Sequence, residues 1–201
     1  MKQLVSSVVC LLLCGCVALI TPKVETTLAS LEAGDYALDK THASLIFKVK
    51  HSGLSNYVGR FNEFDASLSF DPANVSAAKL TAVIEIDSLD INNPSLKKDL
   101  MDGTWFDQPR YPQARFSTIS VTPVSDNQFS FTGNLAWRGV QKPVTMLVTF
   151  HGGADNILTR KYTLGFSASG TFKRSDFGMD AYIPLVGDEV SIDADAEFLK
   201  N

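Results

Sequence analysis

The sequence predicts an all-β fold, either an antiparallel sandwich or a closed barrel. From Gly34 onward, apolar and polar residues alternate with a period of two in one segment after another. This pattern is typical of strands that have one buried and one solvated face. The segments are long, and turn residues separate them, so we expect eight or nine strands. The 13 phenylalanines require a large apolar interior or an apolar cavity, because Phe carries no polar group.

The alternation can be followed from strand to strand, and the apolar faces include seven small residues: Ala66, Ala82, Gly133, Ala168, Gly170, Ala194 and Ala196. In an eight-stranded barrel the interior is either just filled or holds one small ligand. The small residues predict that room remains inside. The apolar faces are formed by Leu45, Phe47 and Val49; Phe64, Ala66, Leu68 and Phe70; Leu80, Ala82, Ile84 and Ile86; Phe129, Phe131, Gly133, Leu135 and Trp137; Val144, Met146, Val148 and Phe150; Tyr162, Leu164, Phe166, Ala168, Gly170 and Phe172; and Val190, Ile192, Ala194, Ala196 and Phe198.

One segment departs from the period of two and predicts a short helix. Asn93 is a suitable N-cap and Pro94 suits the first helical position. Leu96 and Leu100 then lie on one helical face. Two interpretations stay open: the helix, with the aromatic residues that follow it, plugs or covers one end of a barrel, or it is a crossover that covers a sheet edge.

The N-terminus has the anatomy of a secretory signal peptide, with Lys2 ahead of an apolar run. The run ends in Leu13-Cys14-Gly15-Cys16, which resembles the lipobox of bacterial lipoproteins. That resemblance implies cleavage before Cys16 and lipidation of its side chain. Two alternatives stay open. One is an ordinary signal peptide that is cut further on, although no Ala-x-Ala site lies near Gly15. The other is an uncleaved anchor over residues 4–20, which is near the lower length limit of a spanning helix.

We therefore divide the chain into a signal peptide (residues 1–15), a lipidated cysteine with a tether (16–33) and a single barrel domain (34–201). The tether segment has no strong period and, fully extended, would reach roughly 55 Å. All three cysteines lie within the first 16 residues. If Cys16 is acylated, the mature domain has no thiol, which excludes cysteine catalysis, disulfides and Cys-ligated metals.

The charge of the chain is mildly acidic. The net charge is −4, and removal of Lys2 with the signal peptide would leave −5. No basic run is present. This balance argues against nucleic acid as a partner and against electrostatic docking to anionic lipid.

The ordered set of short motifs in residues 34–200 resembles the YceI-like family, which comprises bacterial exported lipid-binding proteins. No single motif is specific, but together they cover nearly the whole domain. The matching stretches are Thr41-His42-Ala43-Ser44, His51-Ser52-Gly53-Leu54, Gly59-Arg60-Phe61, Phe70-Asp71-Pro72, Trp105-Phe106-Asp107, Tyr111-Pro112, Ala114-Arg115-Phe116, Gly133-Asn134-Leu135, Gly139-Val140, Lys142-Pro143-Val144, Arg174-Ser175-Asp176-Phe177-Gly178 and Val186-Gly187-Asp188-Glu189-Val190.

The resemblance implies a lipocalin-like, extended antiparallel β-barrel of about eight strands with one short helix. Its apolar bore would hold an isoprenoid chain, such as a polyprenyl phosphate or a quinone tail, and the family is generally periplasmic and not known for catalysis. The inward positions of the alternating strands are then the predicted lipid-binding residues. These are Phe47, Val49, Phe64, Leu68, Ile84, Ile86, Phe131, Leu135, Val148, Leu164, Phe166, Ile192 and Ala194.

Four polar residues are candidates for contact with a lipid head group. His51 shares the strand parity of Phe47 and Val49 and is expected at the end of the bore. Arg138 flanks the hairpin at Gly139, where with Lys142 it would suit a phosphate. Arg174 and Asp176 lie together at a strand end. The competing interpretations are a solvated hairpin charge for Arg138 and structural bracing of a turn for Arg174 and Asp176.

No constellation for metal binding or catalysis is present in the sequence. His42, His51 and His151 are scattered without metal-ligand spacing, and no nucleophile elbow or phosphate-binding glycine loop occurs. We therefore expect no metal, no catalytic residues and no cofactor other than a bound isoprenoid lipid.

The function expected from the sequence is a membrane-tethered isoprenoid-binding protein that acts as a carrier, buffer or sensor. Two other functions stay open: an enzyme that acts on a lipid inside the barrel, and a structural or stress-related module whose core is filled by its own side chains. Val17 follows Cys16, and an aspartate there would favour inner-membrane retention, so we expect the periplasmic face of the outer membrane. The alternative is a soluble periplasmic or secreted protein. A homodimer is compatible with an edge strand at an imperfectly closed barrel.

Overall fold

The structure is a computed structural model that describes residues 22–201. The predicted signal peptide and Cys16 lie outside the described residues. The described part is built from long strands and one α-helix. The elements are β1 (Gly34–His51), β2 (Ser55–Phe61), β3 (Phe64–Phe70), β4 (Lys79–Glu85), β5 (Leu89–Asp90), α1 (Pro94–Leu100), β6 (Gln113–Pro123), β7 (Gln128–Trp137), β8 (Val140–Asn156), β9 (Lys161–Lys173) and β10 (Val186–Lys200).

Eight of the strands form a closed antiparallel wall. Their order is β10-β9-β8-β7-β6-β4-β3-β1, and pairing of β1 with β10 closes the ring. The short strands β2 and β5 continue the sheet from the second half of β1. The predicted all-β fold is confirmed, and the closure decides between the two alternatives in favour of the barrel.

A bulge in β1 reverses which residues face the interior. The register between β1 and β10 shifts between Leu38 and Ala43, so Leu38 faces inward before the bulge and Leu45 after it. The Asp39 carboxylate accepts hydrogen bonds from the backbone N–H (3.0 Å) and hydroxyl (2.6 Å) of Thr41, and its second oxygen lies 3.0 Å from Nδ1 of His42. These bonds hold the extra residues of the bulge in place.

The sequence pattern did not reveal strand β6, because a second bulge interrupts it. The register against β7 shifts between Thr118 and Ser120. Phe116 lines the interior before this shift and Val121 is buried after it, whereas Ile119 is 58% exposed. A strand whose inward positions change parity halfway shows no clean period of two.

One end of the barrel is filled and is called here the closed end. Leu31, Tyr36 and Leu164 pack there in one hydrophobic cluster with Leu28 of the 3-10 helix Leu28–Ser30. Glu25 and Gly153 exchange backbone hydrogen bonds of 2.8 and 2.9 Å. The last part of the predicted tether, residues 25–33, is therefore part of the barrel, and this corrects the expectation of a free segment up to residue 33.

The opposite end is called here the mouth. The β1–β2 and β7–β8 hairpins, the connection that contains α1, and the β9–β10 connection all lie there. The predicted helix is confirmed: Asn93 Oδ1 accepts a hydrogen bond from Leu96 N (3.1 Å), and Pro94 is the first helical residue. No helix within residues 22–201 has the length and apolar character needed to span a bilayer.

Two hydrophobic clusters, one towards each end, supply the core of the barrel. All of their members lie between Leu28 and Phe198. Residues 22–201 therefore contain both clusters and every strand of the closed wall that the structure describes, so we expect this segment to fold on its own.

Candidate functional site: two apolar cavities in the bore

The half of the barrel towards the mouth contains a cavity of about 230 Å³, called here the mouth cavity. Residues of strands β1, β2, β7, β9 and β10 form its wall, and α1 covers it through Leu96 and Leu100. Helix α1 thus covers the mouth, as one of the two interpretations of this segment expected. The polar side chains of the lining are few: His51, Tyr57 and Arg174.

Deeper in the barrel lies a second cavity of about 230 Å³, called here the inner cavity. Ser167 is the only polar residue in its described lining. The small side chains expected to leave room are at this wall. They are Ala66, Ala82, Ala168, Ala194 and Ala196.

A waist of four side chains separates the two cavities. Phe61, Trp137, Phe172 and Ile192 line both of them. The cavities are therefore successive compartments of one bore. Along β10 the lining runs from Val186 to Phe198, which corresponds to roughly 30 Å along the barrel axis after allowance for strand tilt.

Twelve of the thirteen predicted lipid-binding residues line this bore. As contacts of a bound ligand they stay predictions, but their position facing the cavities is observed. Phe47 and Val49 line the mouth cavity and Ile192 lines both cavities; Phe64, Leu68, Ile84, Ile86, Phe131, Leu135, Val148, Phe166 and Ala194 line the inner cavity.

The expectation that Leu164 faces the bore is corrected by the structure. Leu164 is fully buried in the cluster at the closed end, where Leu31 and Gly153 pack around it. The N-terminal segment fills the space there. Two of the small residues also leave no room, because a Cβ at Gly133 would overlap the Phe116 ring and one at Gly170 would overlap Met146.

Arg174 is a buried brace of the mouth. Its side chain is 4% exposed and donates to four backbone carbonyls: Gly187 (2.8 Å), Met179 (2.6 Å), Ala181 (2.8 Å) and Val186 (2.9 Å). Burial lowers the pKa of the guanidinium from its ordinary value, and Asp188 and Asp180 oppose the shift. Since four of its five N–H donors are occupied, the geometry is that of the bracing interpretation.

A stack of aromatic side chains joins this brace to the loops above it. The Arg174 guanidinium lies 5.3 Å from the centre of the Trp105 ring, which stacks on Tyr182 at 6.0 Å. The neighbouring carboxylate of Asp188 accepts two 2.9 Å hydrogen bonds from Ser175. Burial raises the pKa of Asp188, but these hydrogen bonds, with Lys173 and Arg174, outweigh it and leave the pKa below its ordinary value.

Arg138 and Asp176 do not reach the lining of either cavity. Arg138 donates to the carbonyls of Gly178 (2.9 Å) and Gly103 (3.0 Å), so it ties two mouth loops together from outside. Asp176 is exposed on the 3-10 helix Arg174–Phe177. Contact between these two residues and a head group stays a prediction, and neither residue lines the bore.

His51 is the head-group candidate whose position fits that role. It lines the mouth cavity and is exposed, so the cavity reaches the surface beside it. It pairs with Val186 of β10 and with Ser55 of β2. Contact between His51 and a ligand stays a prediction.

Sequence reasoning missed several residues of the mouth cavity. Tyr57 and Phe61 line it from β2, and the alternation of Tyr57, Gly59 and Phe61 with polar or exposed residues was a usable signal. Met179 lies in the β9–β10 connection, where no strand period exists to mark it.

One cluster of three potential metal ligands occurs among residues 22–201, outside the bore. Ligand atoms of Asp39, His42 and Glu197 lie within 4.8 Å of one another. Spacing along the chain gave no sign of it, since pairing of β1 with β10 brings Glu197 there. The hydrogen bonds to Thr41 and His42 hold the pKa of Asp39 down to about 2, and the Asp39 carboxylate raises the pKa of His42. The carboxylate thus already has the partners that brace the bulge.

The closed antiparallel wall and its apolar bore define a lipocalin-like binding barrel. A family profile described as the YceI-like domain matches residues 36–198. The chain belongs to this family, which comprises binding domains rather than enzymes.

Curated relatives extend over most of the chain. A UPF0312 protein of Pseudomonas aeruginosa (strain LESB58) is 37% identical over 162 residues, which are 80% of this chain and 84% of the relative. A UPF0312 protein of Yersinia pestis (strain Pestoides F) is 36% identical over 168 residues, 83% of this chain and 86% of the relative.

Solved structures share the fold. BcnA of Burkholderia cenocepacia has a TM-score of 0.72 at 26% identity and covers 80% of this chain and 98% of its own. The YceI protein of Campylobacter jejuni has a TM-score of 0.66 at 29% identity, with 76% and 90% covered. A polyisoprenoid binding domain from Saccharophagus degradans, implicated in plant cell wall breakdown, has a TM-score of 0.65 at 15% identity, with 85% and 100% covered.

Proposed function

We propose that this protein binds a lipid with an isoprenoid chain, such as a polyprenyl phosphate or a quinone, and acts as a membrane-tethered carrier, buffer or sensor. The observation that carries the proposal is the bore itself. Two apolar cavities follow one another along roughly 30 Å of barrel, and the few polar groups of the lining are concentrated in the half towards the mouth. This arrangement suits a long apolar tail with one polar end.

The affinity of such a complex would come from the tail. Burial of apolar surface contributes about 25 cal/mol per Å², or about 0.8 kcal/mol for each CH₂ group. A tail of tens of carbons therefore supplies ample binding free energy without a specific polar contact. We expect binding to depend strongly on tail length and weakly on head-group chemistry.

Family membership supports the same class of ligand. One solved barrel with the same fold is described as a polyisoprenoid binding domain. Its identity to this chain is 15%, so the likeness rests on fold. The ligand class of this chain therefore depends on the apolar lining of its own bore, and it needs a direct test.

The test is native mass spectrometry of residues 22–201 purified from a bacterial periplasm, followed by organic extraction and lipid analysis. We expect one retained isoprenoid lipid in each barrel. The two tryptophans, Trp105 and Trp137, both line the mouth cavity, so intrinsic fluorescence gives a second readout of loading. An empty protein that also fails to take up added polyprenyl lipid would overturn the proposal.

A matched pair of variants tests whether the inner cavity holds the tail. Ala194→Leu fills space in the inner cavity, whereas Ala136 lies between two inward-facing residues and faces outward. We expect Ala194→Leu to weaken polyprenol uptake about tenfold, since it displaces several CH₂ groups. Ala136→Leu should bind like the unmodified protein. Equal uptake by both variants would place the ligand outside the inner cavity.

The alternative function is a structural or stress-related module with a self-filled core. The closed end favours this alternative, because Leu31, Tyr36 and Leu164 fill the barrel there with the protein's own side chains. Under this alternative, Ala194→Leu should lower the free energy of unfolding, because it adds bulk to a core that is already filled, and no lipid should be extracted.

Tethering through Cys16, at the periplasmic face of the outer membrane, is part of the proposal. Its support is the lipobox-like Leu13-Cys14-Gly15-Cys16 and the residue Val17 that follows it. The test is mass spectrometry of the N-terminal peptide from fractionated membranes of cells that produce the full chain. A diacylglyceryl group on Cys16 in the outer-membrane fraction is expected, and an unmodified N-terminus in the soluble periplasm would point to the alternative location.

A further inference from the structure

Four large apolar side chains are exposed around the mouth and are called here the mouth patch: Leu54, Tyr182, Ile183 and Leu185. Their exposed fractions are 88%, 66%, 40% and 63%. Leu54 is at the tip of the β1–β2 hairpin, and the other three lie in the β9–β10 connection. Leu185 accepts a 2.6 Å hydrogen bond at its carbonyl from Ser52 N, so the two loops are neighbours.

The loops that carry the patch are held in shape. Arg174 binds the carbonyls of Met179, Ala181, Val186 and Gly187, which are distributed along the segment that bears Tyr182 to Leu185. The Trp105–Tyr182 ring stack holds the same segment from the side of α1. The exposure of the patch is therefore built into the braced loops.

The patch lies beside the entrance of the bore. His51 lines the mouth cavity, is exposed, and directly precedes the hairpin turn that leads to Leu54. Val186, which also lines the cavity, directly follows Leu185. The mouth patch therefore borders the part of the mouth where the cavity lining meets the surface.

We propose that the mouth patch inserts shallowly into a lipid bilayer, so that an isoprenoid tail moves between the bilayer and the bore without crossing water; this rests on the proposed lipid-binding function. Exposure of a tail to water costs about 0.8 kcal/mol for each CH₂ group, which seating on a bilayer avoids. Tyr and Trp rings, as in the Tyr182–Trp105 stack, suit the membrane–water interface. Four side chains are too small a surface for a stable dimer, which buries roughly 800 Å² per partner.

The test measures sedimentation of residues 22–201 with vesicles of phosphatidylethanolamine and phosphatidylglycerol. The double variant Leu54→Ser/Leu185→Ser replaces both leucines of the patch. The matched control is Ile157→Ser/Leu158→Ser at the closed end, where the side chains are 57% and 94% exposed. Uptake of farnesol from vesicle-free buffer, followed by tryptophan fluorescence, reports loading of the bore separately.

We expect the mouth variant to lose about tenfold or more in vesicle partitioning, and the control to partition like the unmodified protein. Farnesol uptake should be the same in all three proteins. Because the docking is apolar, partitioning should change little with added salt. Partitioning of the mouth variant equal to that of the unmodified protein, or an equal loss in the control, would overturn the proposal.

Two further outcomes distinguish a failure of the bilayer-docking proposal from a failure of the lipid-binding function on which it rests. If farnesol does not bind but patch-dependent partitioning is observed, the lipid-binding function fails and the docking surface stands. If the mouth variant shifts a dimer to a monomer in size-exclusion chromatography and leaves vesicle partitioning unchanged, the patch is an interface between two copies and the bilayer proposal is overturned.

Discussion

The closed end and the mouth half of this barrel are built from the same alternating strands, yet only the closed end is filled. At the closed end, Leu31 enters from the N-terminal segment and packs on Tyr36 and Leu164. Towards the mouth, covering elements lie over the bore and leave a cavity beneath them. Alternation thus sets which side chains face inward, and the segments that cap the barrel determine whether the space is occupied.

The largest expected effect comes from removal of the brace that shapes the mouth. Arg174→Ala leaves four carbonyls without their donor, and an unpaired buried acceptor costs about 1–3 kcal/mol. We expect the free energy of unfolding to fall by about 3–5 kcal/mol, because water replaces part of the lost bonding. Urea unfolding measures this change.

The control for the brace is Arg138→Ala. Arg138 also joins two mouth loops through carbonyls, but it is only half-buried, so we expect a loss of about 1 kcal/mol. Equal losses for the two variants would mean that the burial of Arg174 does not matter for the shape of the mouth.

A smaller effect is expected when a leucine is truncated to alanine, and its size should differ between the filled closed end and the inner cavity. Leu164→Ala should cost about 3 kcal/mol, because it opens a void in a packed cluster. Leu135 borders the inner cavity, so Leu135→Ala should cost about 1–2 kcal/mol. Farnesol uptake should change only in Leu135→Ala. If the costs were equal, the inner cavity would behave as filled space.

The smallest effect concerns the bulge in β1 and depends on pH. Asp39 has a pKa of about 2, below its ordinary 3.8, so its contribution to stability is complete above pH 3.8 and is lost as the pH falls through about 2. The pKa of His42 is raised, so its contribution is present below its ordinary 6.5 and is lost as the pH rises through the folded value. Between pH 3.8 and 6.5, the contributions of Asp39 and His42 to stability are both present.

Asp39→Asn removes both contributions. We expect the melting temperature to fall by about 2–4 °C between pH 4 and 6.5, and the difference from the unmodified protein to narrow at more acid and more alkaline pH. Thermal unfolding by circular dichroism over this range measures it. A difference that does not vary with pH would show that the ion pair does not contribute.

Local pattern predicted most of the wall, and long-range contacts determined the rest. Strands with unbroken alternation, such as β7 and β9, were predicted from their sequence. β6 was missed because its bulge changes the parity of its inward residues. Leu164 has the same parity as Phe166, and nothing in its own strand indicates that Leu31, 133 positions earlier, fills the space in front of it.

The polar residues were harder to predict for a related reason. A charged side chain in a short motif suggests a ligand contact, but its role depends on which groups the fold brings to it. Arg174 meets carbonyls from the segment after it, and Arg138 meets Gly103 and Gly178. The position of His51 at the end of the bore was predicted correctly, because it depends only on strand parity and not on contacts with distant segments.

The backbone hydrogen bonds between Glu25 and Gly153 fix the N-terminal segment to one end of the barrel, so the two ends of the molecule are not equivalent. The chain enters at the closed end, and the rim with the mouth patch is at the other end. A lipid anchor at Cys16, as proposed, would therefore hold the protein by its closed end, and the mouth patch would face away from that membrane.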